Sequence, residues 1–175
     1  MAYLRHATRH VHQTLSDLVR DRMDLLGWLG PEAAVPFGTT PAVFQLGRMD
    51  EALEKQITGN LISVSFGEEP DLAELELGGA LVMQQHVLFI DCLADTDAIA
   101  LAMAGDIKDL LQGVAPDTSR FAPLYDYTRS PREELEGYQF EFVDVARRKP
   151  DVGYRQNWHV VLATAELTHI SWELP

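Results

Sequence analysis

The chain holds one cysteine, Cys92, no excess of positive charge and no apolar run long enough to cross a bilayer. A single cysteine excludes an internal disulfide framework and any zinc site built from several thiolates. Cys92 lies inside an apolar strand-like run, so it reads as a small buried hydrophobe. The longest apolar candidate, Ala80 to Ala94, is broken by Gln84-Gln85-His86 and again by Asp91, and no membrane contact is expected. The first residues, Met1-Ala-Tyr-Leu-Arg-His, lack the apolar core of a signal peptide. A reducing cytoplasm is the expected place of synthesis. Internal repeats and low-complexity tracts are missing as well.

The usual catalytic signatures are also missing. There is no Gly-x-Ser-x-Gly elbow, no phosphate loop ending in Gly-Lys-Ser/Thr and no Gly-x-Gly-x-x-Gly turn. Of the six histidines, His6 and His10 stand four apart and share one helical face. The intervening residues are not those of a His-Glu-x-x-His site, and Arg5 and Arg9 would repel a cation, so a solvated helix face is expected there. His86 reads as a hydrogen-bonded structural histidine, and His159 and His169 share a strand parity but lie far apart along it. The paired acids Glu68-Glu69 and Glu133-Glu134 fall where solvated loops are expected. The chain is therefore expected not to be an enzyme and to need no cofactor or metal.

What is present is acid. The formal net charge is −13 over 175 residues. Eight acids, Asp50, Glu51, Glu54, Glu68, Glu69, Asp71, Glu74 and Glu76, face a single base, Lys55, between positions 50 and 79. Such a chain repels a phosphate backbone and does not bind nucleic acid tightly. The same sign suits a passage that DNA crosses without sticking, as well as plain solubility. Against this background Arg147-Arg148-Lys149 stands out, a basic run able to meet phosphate or an acidic patch on a neighbouring subunit. Its natural complement is the acidic 67–76 loop of another copy, a head-to-tail contact of the kind that closes into rings.

Periodicity places the elements. Leu4, Ala7, Val11, Leu15, Leu18, Val19, Leu25 and Leu26 follow helical spacing, and Gly27, Gly30 and Pro31 end that helix. Residues 30–41 are rich in Gly and Pro and form an extended connector. Ala42 to Leu46 is a short strand candidate; Asp50 to Gln56 is compatible with a helical turn or a loop. Leu61 to Phe66 alternates as a half-buried strand. A long acidic connection, 67–79, ends in Gly78-Gly79, and long connections of this kind are often functional. Ala80 to Leu93 is a long strand whose second half turns apolar on both faces, as a mid-sheet strand covered on both sides would. Asp95 or Thr96 caps the next helix, Ala98, Ile99, Ala102, Met103, Ile107, Leu110 and Leu111 form its buried stripe, and Gly113 is its C′ residue. Leu124 to Tyr127 is a possible short strand, Ser130-Pro-Arg-Glu-Glu has the look of a turn entering a short helix, and Tyr138 to Ala146 and Trp158 to Trp172 form a hairpin joined through the basic loop.

The fold class that follows is α+β: a mixed or antiparallel β-sheet flanked by two main helices, in the order roughly α-β-β-β-α-β-β. A chain of this length forms one domain, 1–175, with an N-terminal helix over 3–27, a connector over 28–41 and a sheet-and-helix core over 42–175.

The run Asn60-Leu-Ile-Ser-Val-Ser-Phe-Gly-Glu-Glu69, then Glu76-Leu-Gly-Gly79, His86-Val-Leu-Phe-Ile-Asp91 and the helix Asp95 to Gly113 resembles the tail terminator proteins of long-tailed (siphovirus-type) actinobacteriophages. The strand Phe140-Glu-Phe-Val-Asp-Val145 and the Trp158-His159 strand fit the same layout. The resemblance rests on element order and segment texture across most of the chain. It implies an α+β subunit of a hexameric ring at the tail-neck junction of the virion, assembled in the host bacterial cytoplasm. The ring would cap the major tail tube protein, stop its polymerisation and join the tail to the head-completion or connector protein, while genome DNA passes through without specific binding. A neighbouring neck protein, a head-closure or adaptor subunit, is the alternative, and a small acidic ligand-binding domain or enzyme is the alternative of another class. No motif of the family defines site residues. From the charges alone, Arg147, Arg148 and Lys149 are the candidate subunit or partner contacts, and Glu68, Glu69, Asp71, Glu74 and Glu76 the candidate acidic loop facing lumen or interface.

Overall fold

A computed structural model describes residues 2–29, 41–54, 59–67, 71–74, 81–115, 118–128, 130–150 and 157–170, without the side chains of 2–8, 53, 71–74, 81, 82, 137, 169 and 170. Along the chain they form α1 (Ala2–Leu25), β1 (Val43–Leu46), α2 (Met49–Glu54), β2 (Leu61–Phe66), β3 (Asp71–Glu74), β4 (Leu81–Leu93), α3 (Asp97–Gln112), β5 (Phe121–Asp126), β6 (Glu133–Arg148) and β7 (Trp158–Ile170). The fold mixes three helices with one seven-stranded sheet ordered β1-β2-β4-β7-β6-β5, with β3 also paired to β4. β1 runs parallel to β2 and the other pairings are antiparallel, so the sheet is mixed. α2, β3 and β5 are additions to the expected order. α2 and β3 are too short for periodicity to reveal them. β5 contains Pro123, which a sheet tolerates at an edge, and the edge is where β5 lies.

Each long element has a local reason. α1 turns Val11, Leu15, Val19 and Met23 inward and ends in a Schellman turn. There Gly27 takes φ 80°, its N–H meets Asp24 O at 2.9 Å, and Trp28 N–H meets Met23 O at 2.9 Å. Trp28 and Leu29, placed by sequence in the connector, belong to the core; Trp28 Nε1 donates to Asp106 Oδ2 of α3 at 2.6 Å. α3 begins at Thr96, whose hydroxyl accepts Ile99 N–H at 3.3 Å, and buries Ile99, Ala100, Met103, Ala104, Ile107, Leu110 and Leu111. It ends at Gly113 (φ 67°), with Val114 N–H reaching back to Asp109 O at 2.9 Å. A Cβ on Gly113 would stand 2.6 Å from Arg120 N, so this position needs glycine twice over, for its φ and for the close approach.

The stripes of α1 and α3 share one buried cluster with Ile62 and Val64 of β2, Leu88, Ile90 and Cys92 of β4, Phe140 and Phe142 of β6 and Val161, Ala163, Ala165 and Leu167 of β7. Cys92 is the small buried hydrophobe expected, and burial pushes its thiol pKa up. A second, small cluster of Met49, Ala52, Leu61 and Leu93, backed by Trp158, packs α2 against the sheet. β4 is mid-sheet as expected, yet only its last residues are covered on both sides: Asp91 and Leu93 are buried, whereas Phe89 on the same parity is 39% exposed.

β6 departs from simple alternation. Between Val143↔Thr164 and Ala146↔Leu162 two residues of β6 oppose one of β7. The extra residue is taken up at Asp144 with φ 51°, a left-handed conformation that Asp tolerates better than most. This bulge reverses the parity of the strand, so Val145 joins Phe140 and Phe142 against the core. The short helix expected after Ser130 is not formed: Glu133 and Glu134 open β6 and pair with Asp126 and Tyr125. Adjacent acids on an edge hairpin satisfy solvent equally well in a strand, which is why the local pattern misled. Gly78-Gly79 lies outside the described residues.

Candidate assembly surface

Parity and register define the face of the sheet turned away from the large cluster. On it Phe89 stands between Ser65 and Leu162, and Leu162 in turn pairs with Ala146. One row along, Val87 pairs with Thr164 and Thr164 with Val143. These two rows form an apolar band across the middle strands. Ser63, Asp91, Val160 and Arg148 border it on one side. Gln85, Glu166 and Glu141 border it on the other, where Gln85 Nε2 donates to Glu166 Oε1 at 2.8 Å and Arg120 pairs with Glu141 at 3.1 Å. An apolar centre inside a polar rim is the anatomy of a protein-protein contact.

At one end of this face a cleft of about 600 Å³ is lined by Arg48, Met49, Asp50, Phe66, Phe89, Asp91 and Trp158, among others. Asp91 accepts the Trp158 indole N–H at 2.8 Å. Burial pushes its carboxyl up to about 6, and Asp50 adds to the rise while the Trp158 hydrogen bond and Arg48 oppose it. Sequence reasoning passed over Asp91 except as a break in an apolar run; the available signal was its parity with Phe89.

A second polar group ties α1 to the far edge. Asp17, 7% exposed, accepts the Tyr127 hydroxyl at 2.7 Å and guanidinium N–H groups from Arg132 and, at 3.1 Å, Arg20. Arg132 also lies over the Tyr125 ring at 4.9 Å. Burial first, and then the hydrogen bond to Asp17, push Tyr127 up to about 12. His10 corrects the expectation of a solvated histidine face: it is buried, and its Nδ1 accepts Tyr127 N–H at 3.1 Å. The side chain of His6 is outside the described residues. Because its partner is 117 residues away, no local pattern announces the role of His10. His12 stacks on Phe66 with ring centroids 3.9 Å apart and meets His86 edge-on at 5.4 Å. Burial lowers His12 to about 4 and His86 to about 3, with His12 further lowering His86. His86 Nε2 lies 3.2 Å from Gln84 Oε1, the hydrogen-bonded structural histidine expected. Among the described residues no three His, Cys, Asp or Glu side chains come together as metal ligands, and no helix is long and apolar enough to cross a membrane.

The candidates from charge fall in different places. Arg147 and Arg148 are the last residues of β6 rather than loop, Arg148 bordering the apolar band. Lys149 pairs with Asp97 at the start of α3 at 2.8 Å, and His159 Nε2 meets the same carboxylate oxygen at 3.0 Å. The hydrogen bond from Lys149, followed by that from His159, holds Asp97 below the ordinary carboxylate range. The acidic connection does not project as one loop: Asp71 and Glu74 sit in β3, paired along β4 with Gln85 and Val82. The backbone of β4 offers an unpaired ladder there, and extended residues 71–74 fill it. Glu68, Glu69 and Glu76 lie outside the described residues. No protein-family model matches the chain, and no curated protein matches it in sequence.

Proposed function

We propose that the chain is a structural virion protein, a phage tail terminator that assembles as a ring on the end of the tail tube, stops tube growth and joins the tail to the head connector. The observation that carries this reading is the open sheet face, an apolar band through Phe89, Leu162 and Val143 within a polar rim. Exposed Phe89, with half-buried Val87, Leu162 and Val143 beside it, leaves apolar surface of the kind that a subunit of an assembly covers with a neighbour. The flanking of the other face by α1 and α3, the acidic balance of −13 and the resemblance of the 60–113 and 140–159 segments support the same reading. The acidic surface suits a ring through which DNA passes without binding. The polar clusters around Asp17 and Asp97 are spent on holding elements together, which suits a scaffold.

The test adds the purified chain to polymerising major tail tube protein and measures tube length by electron microscopy, with light scattering on the chain alone. The expected result is short, capped tubes and a ring-sized oligomer on the tube end or at high concentration. Unchanged tube length together with binding to the head connector would move the assignment to a neighbouring neck protein. A persistent monomer without effect on either would sink the structural reading in favour of a ligand-binding domain.

A further inference from the structure

Among the described residues three acids are buried to the same degree, Asp17, Asp91 and Asp126, each 7% exposed. Two of them are met by several partners. Asp17 takes the Tyr127 hydroxyl and the guanidinium groups of Arg20 and Arg132. Asp126 takes the N–H and the hydroxyl of Thr128 and faces the His10 ring at 3.7 Å. Asp91 takes a single neutral donor, the Trp158 indole N–H at 2.8 Å, on one oxygen. Its other oxygen meets no donor among the described residues. Ser63, opposite it on β2, gives its hydroxyl proton to Gly47 O and accepts from Gln45 Nε2, and Val160, opposite it on β7, has no polar side chain. A buried carboxylate without an opposite charge is costly, and an Asn would accept the Trp158 N–H without that cost.

Asp91 lines the cleft of about 600 Å³ at the end of the open face. Aromatic and apolar side chains border it there. Phe89 stands two residues earlier on the same face of β4 and is 39% exposed, and Trp158 pairs with Leu93, also on that face. Met49, at the start of α2, packs beside Trp158. Arg48 and Asp50 line the cleft as well, but they are spent on each other: Arg48 Nε meets Asp50 Oδ1 at 3.2 Å and Arg48 Nη2 meets Asp50 Oδ2 at 3.1 Å. Their charges cancel, so the ionised cleft keeps one unbalanced negative charge, that of Asp91. Aromatic surface beside a lone carboxylate is the chemistry that holds an organic cation.

We propose that this cleft binds an organic cation, a protonated amine or guanidinium whose charge meets Asp91 and whose carbon chain lies against Phe89 and Trp158. The bound charge supplies the partner that the fold itself withholds from Asp91, and the cost of burying the carboxylate is recovered on binding. Such a group arrives as a free small molecule or as the lysine or arginine side chain of a protein lying on the open face, and the chemistry of the site is the same for both. The inference stands apart from the ring reading, because the chain alone suffices to test it.

Binding is read from the Trp158 indole N–H resonance as the whole chain is titrated with N-acetylarginine methylamide, with its uncharged isostere N-acetylcitrulline methylamide, and with butylguanidinium. The arginine compound is expected to shift that resonance saturably, and the citrulline compound to bind at least about tenfold more weakly. Asp91→Asn keeps an acceptor for Trp158, and its melting curve checks that it is folded; it should weaken the cation by about tenfold or more, whereas Arg48→Gln should leave it as tight or tighter. Of the charged groups around Asp91, Asp50 and Arg48 hold each other, so affinity should follow Asp91 itself: its carboxyl titrates at about 6, and binding should weaken about tenfold from pH 7 to pH 5 as the proton returns. No saturable shift, equal affinity for the citrulline compound, or binding that depends on Arg48 and not on Asp91 overturns the proposal. Butylguanidinium binding as tightly as the blocked arginine supports a free cation as the natural occupant. Butylguanidinium binding about tenfold more weakly supports a protein side chain, whose main chain then adds contacts.

Discussion

Asp91→Asn is expected to make the protein more stable at neutral pH and to leave it unchanged in acid. Burial holds the Asp91 carboxyl at about 6 in the folded chain against 3.8 for the free side chain. Roughly two pKa units at about 1.4 kcal/mol each amount to about 3 kcal/mol. The sign follows from proton binding. The folded state holds this proton more tightly than the unfolded chain, so well below the free value both states are protonated and nothing is lost. As pH rises from about 4 to about 6 the unfolded chain ionises first and stability falls, and above the folded value the full penalty is present. Asn carries no charge and keeps an oxygen to accept the Trp158 N–H. The variant should therefore melt higher than the parent by about 6–12 °C near neutral pH for a chain of this size, and the gap should nearly close by about pH 4, where the parent's carboxyl is protonated in the folded state. Thermal unfolding followed by circular dichroism over that pH range reads the difference directly. A gap that does not change with pH, or a variant less stable than the parent at neutral pH, would refute the assignment of Asp91 as a buried, destabilising carboxylate.

Gly113→Ala should lose about 2–3 kcal/mol in urea unfolding, because a left-handed residue acquires a Cβ that collides with the Arg120 backbone; a loss below about 0.5 kcal/mol would show that the turn after α3 yields freely. Trp28→Phe keeps most of the buried ring area but removes the 2.6 Å hydrogen bond to Asp106, and should cost about 1.5–3 kcal/mol. An unchanged urea midpoint would mean that this bond does not tie α1 to α3.

How much of this was legible in the chain depends on the distance over which each residue finds its partner. The ends of α3 and most of its stripe were readable because the Thr96 cap, the Gly113 turn and the apolar spacing are all local; Ala98, expected in the stripe, is exposed, and Ala100 and Ala104 are buried instead. β2 and the hairpin of β6 and β7 were readable as elements for the same reason. The bulge at Asp144 was not, since Tyr138, Phe140 and Phe142 alternate well and only the register with β7 shows that the parity changes after Val143. Nor could the buried face of β4 be told from its open face: Val82, Leu88, Ile90 and Cys92 and the opposite Met83, Val87, Phe89 and Leu93 are equally apolar. The burial of His10 and Asp17 depends on Tyr127 and Arg132, more than a hundred residues away, and lies beyond any window. The acidic and basic segments were visible as charge, but charge does not say that 71–74 would join the sheet or that Lys149 would turn back on Asp97.

The edge-on pair His12 and His86 has a consequence for how the molecule answers acid as a whole. Both rings resist protonation when folded, at about 4 and about 3, whereas in the unfolded chain they take up protons near pH 6.5. Acidification below that point therefore draws the chain towards unfolding through these two rings. Asp91 pulls the other way over nearly the same interval, gaining stability as its proton returns. The returning Asp91 proton offsets only part of what the two rings lose, so the intact chain should lose stability between pH 6 and 4 less steeply than the histidines alone would dictate.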